Sequence, residues 1–228
     1  MSRYNFGFLL LVFLIAACTR NLSIIDAVSN NDLKNVRKHI SSGLDINLQY
    51  ENLDSCTLLH IAVKRNNKEM VRLLLENGAD VGLKNLHLNL PLHIAGARGH
   101  YEIICMLVDA GSKIDDKGFG GWAALHVAAY EGHLDIVNYL VSHKGADLHL
   151  RDDGGSTVLH CAAIKGHEKI IKCLFLNDAE INAVDYENLT PLDAAIIGGQ
   201  EEAQILLRRF GGMTYEELSA HKANLIKA

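Results

Sequence analysis

The sequence is poor in the features that mark many specialised chains. It holds two prolines and one tryptophan in 228 residues. With a hydrophobic content of 49%, that excludes a proline-rich or disordered chain. Basic charge is not in excess, since 22 Lys and Arg stand against 27 Asp and Glu. A chain without a positive surface lacks the sequence-independent attraction that nucleic-acid binding draws on. Past residue 17 there is no run of about 18 apolar residues, so no later transmembrane helix is expected. Five cysteines include no Cys-x-x-Cys pair. Cys56, Cys105, Cys161 and Cys173 therefore read as free thiols rather than metal ligands or a disulfide framework.

What is present is a period. The phrases Thr57-Leu58-Leu59-His60, Leu90-Pro91-Leu92-His93, Ala123-Ala124-Leu125-His126, Thr157-Val158-Leu159-His160 and Thr190-Pro191-Leu192-Asp193 recur with their fourth positions 33, 33, 34 and 33 residues apart. A fixed interval between roughly 20 and 50 residues marks a solenoid, in which each unit packs only on its neighbours. Each phrase opens a short segment rich in small residues, such as His126-Val127-Ala128-Ala129. A second segment with aliphatics at helical spacing follows, such as Ile136-Val137 with Leu140-Val141. Six residues after the phrase residue stand Asn66, Gly99, Gly132, Gly166 and Gly199. A tight reversal between helices needs a left-handed backbone there, which Gly and Asn adopt at least cost. Gly78, Gly111 and Gly145 end the second segments by the same logic, with Asp178 the exception.

These motifs, with Gly99-His100, Gly132-His133 and Gly166-His167 at the helical turn and Gly78-Ala79-Asp80 and Gly145-Ala146-Asp147 at the ending, resemble the ankyrin repeat family. The resemblance covers residues 22–212 and implies an all-α solenoid of about six helix-turn-helix repeats joined by short β-hairpin loops. The units run over 22–47, 48–82, 83–115, 116–149, 150–182 and 183–212. The first is recovered from Ala27-Val28 and Gly43-Leu44-Asp45-Ile46-Asn47 as a capping repeat without the phrase His. One extra residue lies between His126 and Gly145, and the loop from Asp45 to Thr57 is two residues longer than its counterpart from Asp80 to Leu90. A tail over 213–228 opens with Thr214 and Glu217 in capping-box spacing. It is expected to cover the last repeat and to fray after Ala220.

Twelve histidines invite a metal or catalytic reading. However, His60, His93, His126 and His160 lie one repeat apart, about 10 Å in a packed stack, too far to share an ion with bond lengths near 2 Å. The resemblance implies that their rings tie hairpin to helix start, so they are read as structural. Asp152, Asp153 and Asp185 fall at hairpin tips, where they favour turns, and Gly118–Gly121 is a hairpin rather than a phosphate loop. No catalytic residue, cofactor or metal is expected. The resemblance implies that a protein partner would meet the hairpin tips and the inner face of the first helices. Phe119, Trp122 and Tyr130 fall in one central repeat, and interface hot spots favour Trp, Tyr and Arg. They form the candidate anchor, flanked by Arg65, Arg98 and Lys165 and joined by Tyr186. Packing of Trp122 as a spacer on the next hairpin is the alternative.

The N-terminus reads separately. Arg3, an apolar run from Phe6 to Ile15 and the small residues Ala16-Ala17 before Cys18 describe an export signal over 1–17, followed by a tether over 18–21. Ile15-Ala16-Ala17-Cys18 resembles the lipobox of bacterial lipoproteins, which implies acylation of Cys18. An ordinary signal peptide with a chance Cys is the alternative. The expectation is a non-enzymatic, monomeric scaffold or adaptor in a bacterial cell envelope, membrane-anchored on the periplasmic or outer-membrane side. A regulator of one exported enzyme, or a secreted effector acting on host proteins, stands behind it.

Overall fold

The phrase residues begin helices because their backbone and side-chain chemistry leaves few alternatives. Thr57, Thr157 and Thr190 hold extended backbone at the helix start, and Pro91 and Pro191 occupy first-turn positions where no amide proton is needed. A computed structural model describes residues 24–227, with side chains to residue 224. The signal reading of 1–17, the tether and Cys18 lie outside the described residues.

Six helix pairs follow in order among the described residues. They are α1 (24–29) with α2 (Leu33–Ser41), α3 (Leu58–Lys64) with α4 (Lys68–Glu76), α5 (Pro91–Arg98) with α6 (Tyr101–Asp109), α7 (Ala124–Glu131) with α8 (Leu134–Asn138), α9 (Val158–Ile164) with α10 (Glu168–Leu176), and α11 (Pro191–Ile197) with α12 (Glu201–Arg209). A last helix, α13, spans Tyr215–Lys227. The odd-numbered helices from α3 to α11 pack on one another in sequence and make an inner layer, while α2 to α12 make an outer one. The result is an all-α solenoid.

Small residues set the spacing of the inner layer. Ala62, Ala95, Ala128, Ala162 and Ala195 are fully buried, and a Cβ on Gly96 would come within 3.1 Å of the Ala124 carbonyl. Aliphatics of the outer layer fill the space between layers: Ile103, Ile104, Leu107, Ile136, Val137, Leu140, Ile171 and Leu174 have no exposed surface. Each such side chain contributes about 1.5–3 kcal/mol by leaving water. The turns between paired helices are left-handed at Asn66, Gly99, Gly132, Gly166 and Gly199, and Asp178 takes the same conformation at the end of α10. Gly132 is required twice over, because its φ is +89° and a Cβ there would lie 2.7 Å from the His167 ring of the next repeat.

The loops between repeats are closed by single backbone pairs rather than strands. Asn85 N–H donates to Asn89 O, Gly118 N–H to Trp122 O, Asp152 N–H to Ser156 O and Asp185 N–H to Leu189 O, at 2.7–3.0 Å. The two extra residues of the first loop are taken up by a 3₁₀ turn over Glu51–Leu53 and left-handed Asp54 and Ser55, closed by a bridge between Tyr50 and Cys56. The extra residue of the fourth repeat becomes a π turn at Tyr139–His143, which continues α8. At the C-terminus Thr214 N–H donates to the Glu217 carboxylate and Glu217 N–H donates to Thr214 Oγ1. Glu217 also pairs with Arg208, and α13 continues through Lys227 instead of fraying after Ala220.

Candidate protein-binding surface

The phrase histidines are buried, at most 3% exposed, and each links two repeats. His60 Nδ1 accepts from Thr57 N–H at 3.2 Å, and its Nε2 lies 3.1 Å from the Asn89 carbonyl of the next unit. An amide can only donate, so the ring proton belongs on Nε2, where it meets the carbonyl. His160 repeats the arrangement with Thr157 and Leu189, and His93 with Leu90 N–H and the carbonyls of Asp116 and Trp122. Burial lowers the basicity of all four rings, that of His93 to about 4, and so favours the neutral form this pattern needs. His126 donates to Leu150 O at 3.1 Å. Its Nδ1 is buried without a partner: Ala123 has no hydroxyl to offer, and its N–H does not reach the ring as that of Leu90 reaches His93.

The last unit has Asp193 in place of His, for a reason visible in its partners. An interior unit must accept from its own helix start and donate to the next loop. The terminal unit instead meets two backbone donors: Thr190 N–H and Tyr215 N–H both reach Asp193 Oδ2, at 3.0 and 2.7 Å. A carboxylate accepts both. Among the described residues no cluster of His, Cys, Asp and Glu is placed to hold a metal, and no helix is long and apolar enough to cross a membrane.

With the histidines occupied in joints, the free chemistry lies on the inner helices and loop tips. Phe119 and Tyr186 project from the tips, 69% and 72% exposed, and the tip residue Leu86 is 67% exposed. Trp122 is half-buried. Its indole N–H donates to Asp152 Oδ2 at 2.9 Å, and its ring meets Tyr130 edge-on with centroids 5.1 Å apart. Lys165 places its ammonium 4.5 Å from the centre of the Tyr130 ring. Trp122, Tyr130 and Lys165 thus form one connected group. Phe119 stands out from the tip of the same repeat. Arg65 and Arg98 sit together elsewhere, in the N-terminal half.

Two hollows result. One, of about 270 Å³, is walled by Trp122, Tyr130, Ile164 and Leu189, floored by Cys161, and rimmed by Asp152, Asp185 and Glu187. Burial pushes the Cys161 thiol far above its ordinary range, so it is an apolar floor and not a nucleophile. The other, of about 580 Å³, lies over the first two repeats with Ile25, Leu53 and Ile61 inside and Lys64, Arg65 and Arg98 around it, beside Asp26 and Asp54. The role of Asp152 in bracing Trp122 escaped the sequence reading, which assigned it to a turn. It does both: Oδ1 accepts from Gly154 and Ser156 amides while Oδ2 takes the indole. The signal that could have found it is the next loop, where Ser156, just before its phrase, donates in the same way to Asp185 Oδ2.

Helical repeats with buried joints and a variable inner face define a repeat-array protein of the interaction class. The sequence profile described as Ankyrin repeats (3 copies) matches residues 24–118 and again 125–215. The chain belongs to the ankyrin repeat family. It is 42% identical over 55 residues to the mouse Ankyrin repeat domain-containing protein 40, which is 24% of this chain and 15% of that one. It is likewise 46% identical over 65 residues to the ankyrin repeat protein FPV219 of fowlpox virus, 28% of this chain and 15% of the viral one. The aligned stretches thus span about a seventh of the length of these relatives, and the similarity is that of the repeats. Ankyrin repeat proteins are in general protein-interaction scaffolds and typically carry no enzymatic activity.

Proposed function

We propose that this chain is a non-enzymatic scaffold or adaptor that binds a protein partner on its concave face, with the group around Trp122 and Tyr130 at the centre of contact. The observation that carries this reading is the apolar hollow between Trp122, Tyr130 and Ile164, open on the inner face and flanked by the exposed Phe119 and Tyr186. An open, aromatic-walled recess beside protruding apolar tips is what a buried interface anchor fits. Lys165 adds charge beside this hollow, and Arg65 and Arg98 add it at the second hollow nearer the N-terminus. The finer part of the proposal is a lipid tether at Cys18 in a bacterial envelope, with the array working as a monomer held at the membrane. Its support is the apolar run ending in Ile15-Ala16-Ala17-Cys18.

Cross-linking of the full chain in its own membranes tests both parts. A partner retained by the parent and lost from Tyr130→Ala with Ile164→Ser, in a variant that still unfolds cooperatively although at a lower melting temperature, is the expected result. A partner retained equally by that variant would remove the hollow from the interface. Acyl mass on the mature N-terminus, absent in Cys18→Ser together with membrane association, is expected for the tether. An unmodified N-terminus in the parent rejects it.

A further inference from the structure

The two hollows differ in charge as well as in shape. Around the N-terminal one stand Lys64, Arg65 and Arg98, none of them in an ion pair among the described residues, against the two acids Asp26 and Asp54, so that the positive charge is in excess. Around the C-terminal one stand Asp152, Asp185 and Glu187 over an aromatic wall, none in an ion pair among the described residues, with Asp152 and Asp185 already accepting hydrogen bonds from their own loops and from Trp122 and Ser156. That wall already holds a cation, because the ammonium of Lys165 lies 4.5 Å from the Tyr130 ring centre. The Tyr130 ring thus already takes a positive head, and the recess beside it offers Trp122 and Ile164 to an aliphatic stem, with the acids at its rim. Arginine fits this better than lysine. Its guanidinium stacks on rings and reaches carboxylates in a planar fork.

We propose that one extended partner segment spans both hollows, with acidic side chains over Arg65 and Arg98 and an arginine in the recess between Tyr130 and Glu187. This rests on the scaffold reading above and specifies its partner. The hollows are centred on the second and fifth repeats, three repeats apart. At about 10 Å per packed layer that is roughly 30 Å, or about nine residues of extended chain at 3.3 Å each. The ends of the segment are thereby fixed in register: reversing its charges places like against like at both hollows.

The probe is a synthetic peptide of about twelve residues with paired glutamates at one end and an arginine about nine positions away. It is titrated into the full chain in detergent micelles. Trp122, the single tryptophan, reports the recess by fluorescence. The expected result is a saturable change. Replacing the peptide arginine by norleucine should weaken binding about tenfold. Arg65→Glu with Arg98→Glu should weaken it by at least as much, with recovery when the peptide glutamates become lysines. Lys165→Ala should tighten binding by freeing the ring. The proposal is overturned if the parent gives no saturable change, if norleucine binds as well as arginine, or if a spacer cut to about four residues binds equally. Failure of the broader reading looks different. A cross-linked protein partner that this peptide cannot displace leaves the scaffold and removes the segment. Peptide binding in the absence of any cross-linked partner does the reverse.

Discussion

Four residues after each phrase residue, the N-terminal half of the concave face carries Lys64 and Ala97, and the C-terminal half carries Tyr130, Ile164 and Ile197. One residue on, the N-terminal half has Arg65 and Arg98, where the other half has Glu131, Lys165 and Gly198. Beneath these positions the skeleton hardly changes. The same buried alanine, the same left-handed turn and the same ring-to-carbonyl joint recur on both sides. A repeat can therefore change what it presents without changing how it stands, because inner-helix positions that face solvent are free of the packing that fixes their neighbours. Several departures fall in the fourth repeat, where the halves meet. There Gly118 replaces the tip Asn or Asp, Ala123 replaces the capping Thr as Leu90 does in the third repeat, and the second helix is continued by a π turn.

If the skeleton is shared, acid should weaken both halves together. A histidine whose basicity is lowered by folding binds its proton more weakly in the fold than in the unfolded chain, so protonation favours unfolding. The contribution is full above the ordinary value of 6.5 and is lost as pH falls toward about 4 for His93. That loss is about 3 kcal/mol for His93 alone, with His60, His126 and His160 adding in the same direction. Denaturant unfolding followed from pH 7 to pH 4 should show it, and hydrogen exchange should open both halves over the same interval. Loss of protection in one half only would mean that the joints are not equivalent.

A smaller effect separates the two kinds of turn glycine. Gly132→Ala meets both an unfavourable φ and the His167 ring, at 2.7 Å from the new Cβ, and should cost about 2–3 kcal/mol. Gly145→Ala has a φ of +69° but nothing within 4 Å, so only the backbone cost of about 1 kcal/mol applies. Equal losses would show that contact with the next repeat adds nothing. The comparison is read by melting each variant beside the parent.

The spacing of the phrases was enough to place helices, turns and core, because each repeat solves the same packing problem with the same residues. Gly99, Gly132 and Gly166 could be assigned left-handed turns from their position alone, and even the exception Asp178 follows the rule. What one repeat does to the next was less legible. The bond from Trp122 to Asp152 spans 30 residues, and only the stacked geometry shows that the indole braces the next loop while walling a recess. The candidate anchor therefore divides. Trp122, Tyr130 and Lys165 touch, while Arg65 and Arg98 border a separate hollow. Charge at a given repeat position can be read from a sequence, but which charges face one recess depends on the superposition of units.

The smallest effect bears on the seam itself. His126 is the one phrase histidine whose Nδ1 is buried without a partner among the described residues. At the equivalent place Thr57 and Thr157 offer a hydroxyl 2.8 and 2.9 Å from the ring nitrogen. Ala123 already has the extended backbone of a capping threonine, φ −84° and ψ 167°. Ala123→Thr should therefore complete the joint and stabilise the chain by about 1 kcal/mol, the usual net worth of a buried hydrogen bond. The same substitution at a joint that is already satisfied has nothing to complete. A rise in melting temperature with unchanged peptide binding would locate the difference between the halves in their surfaces. A fall would mean that the fourth repeat is packed too closely for the hydroxyl, and that the alanine is part of how Trp122 and Tyr130 are held.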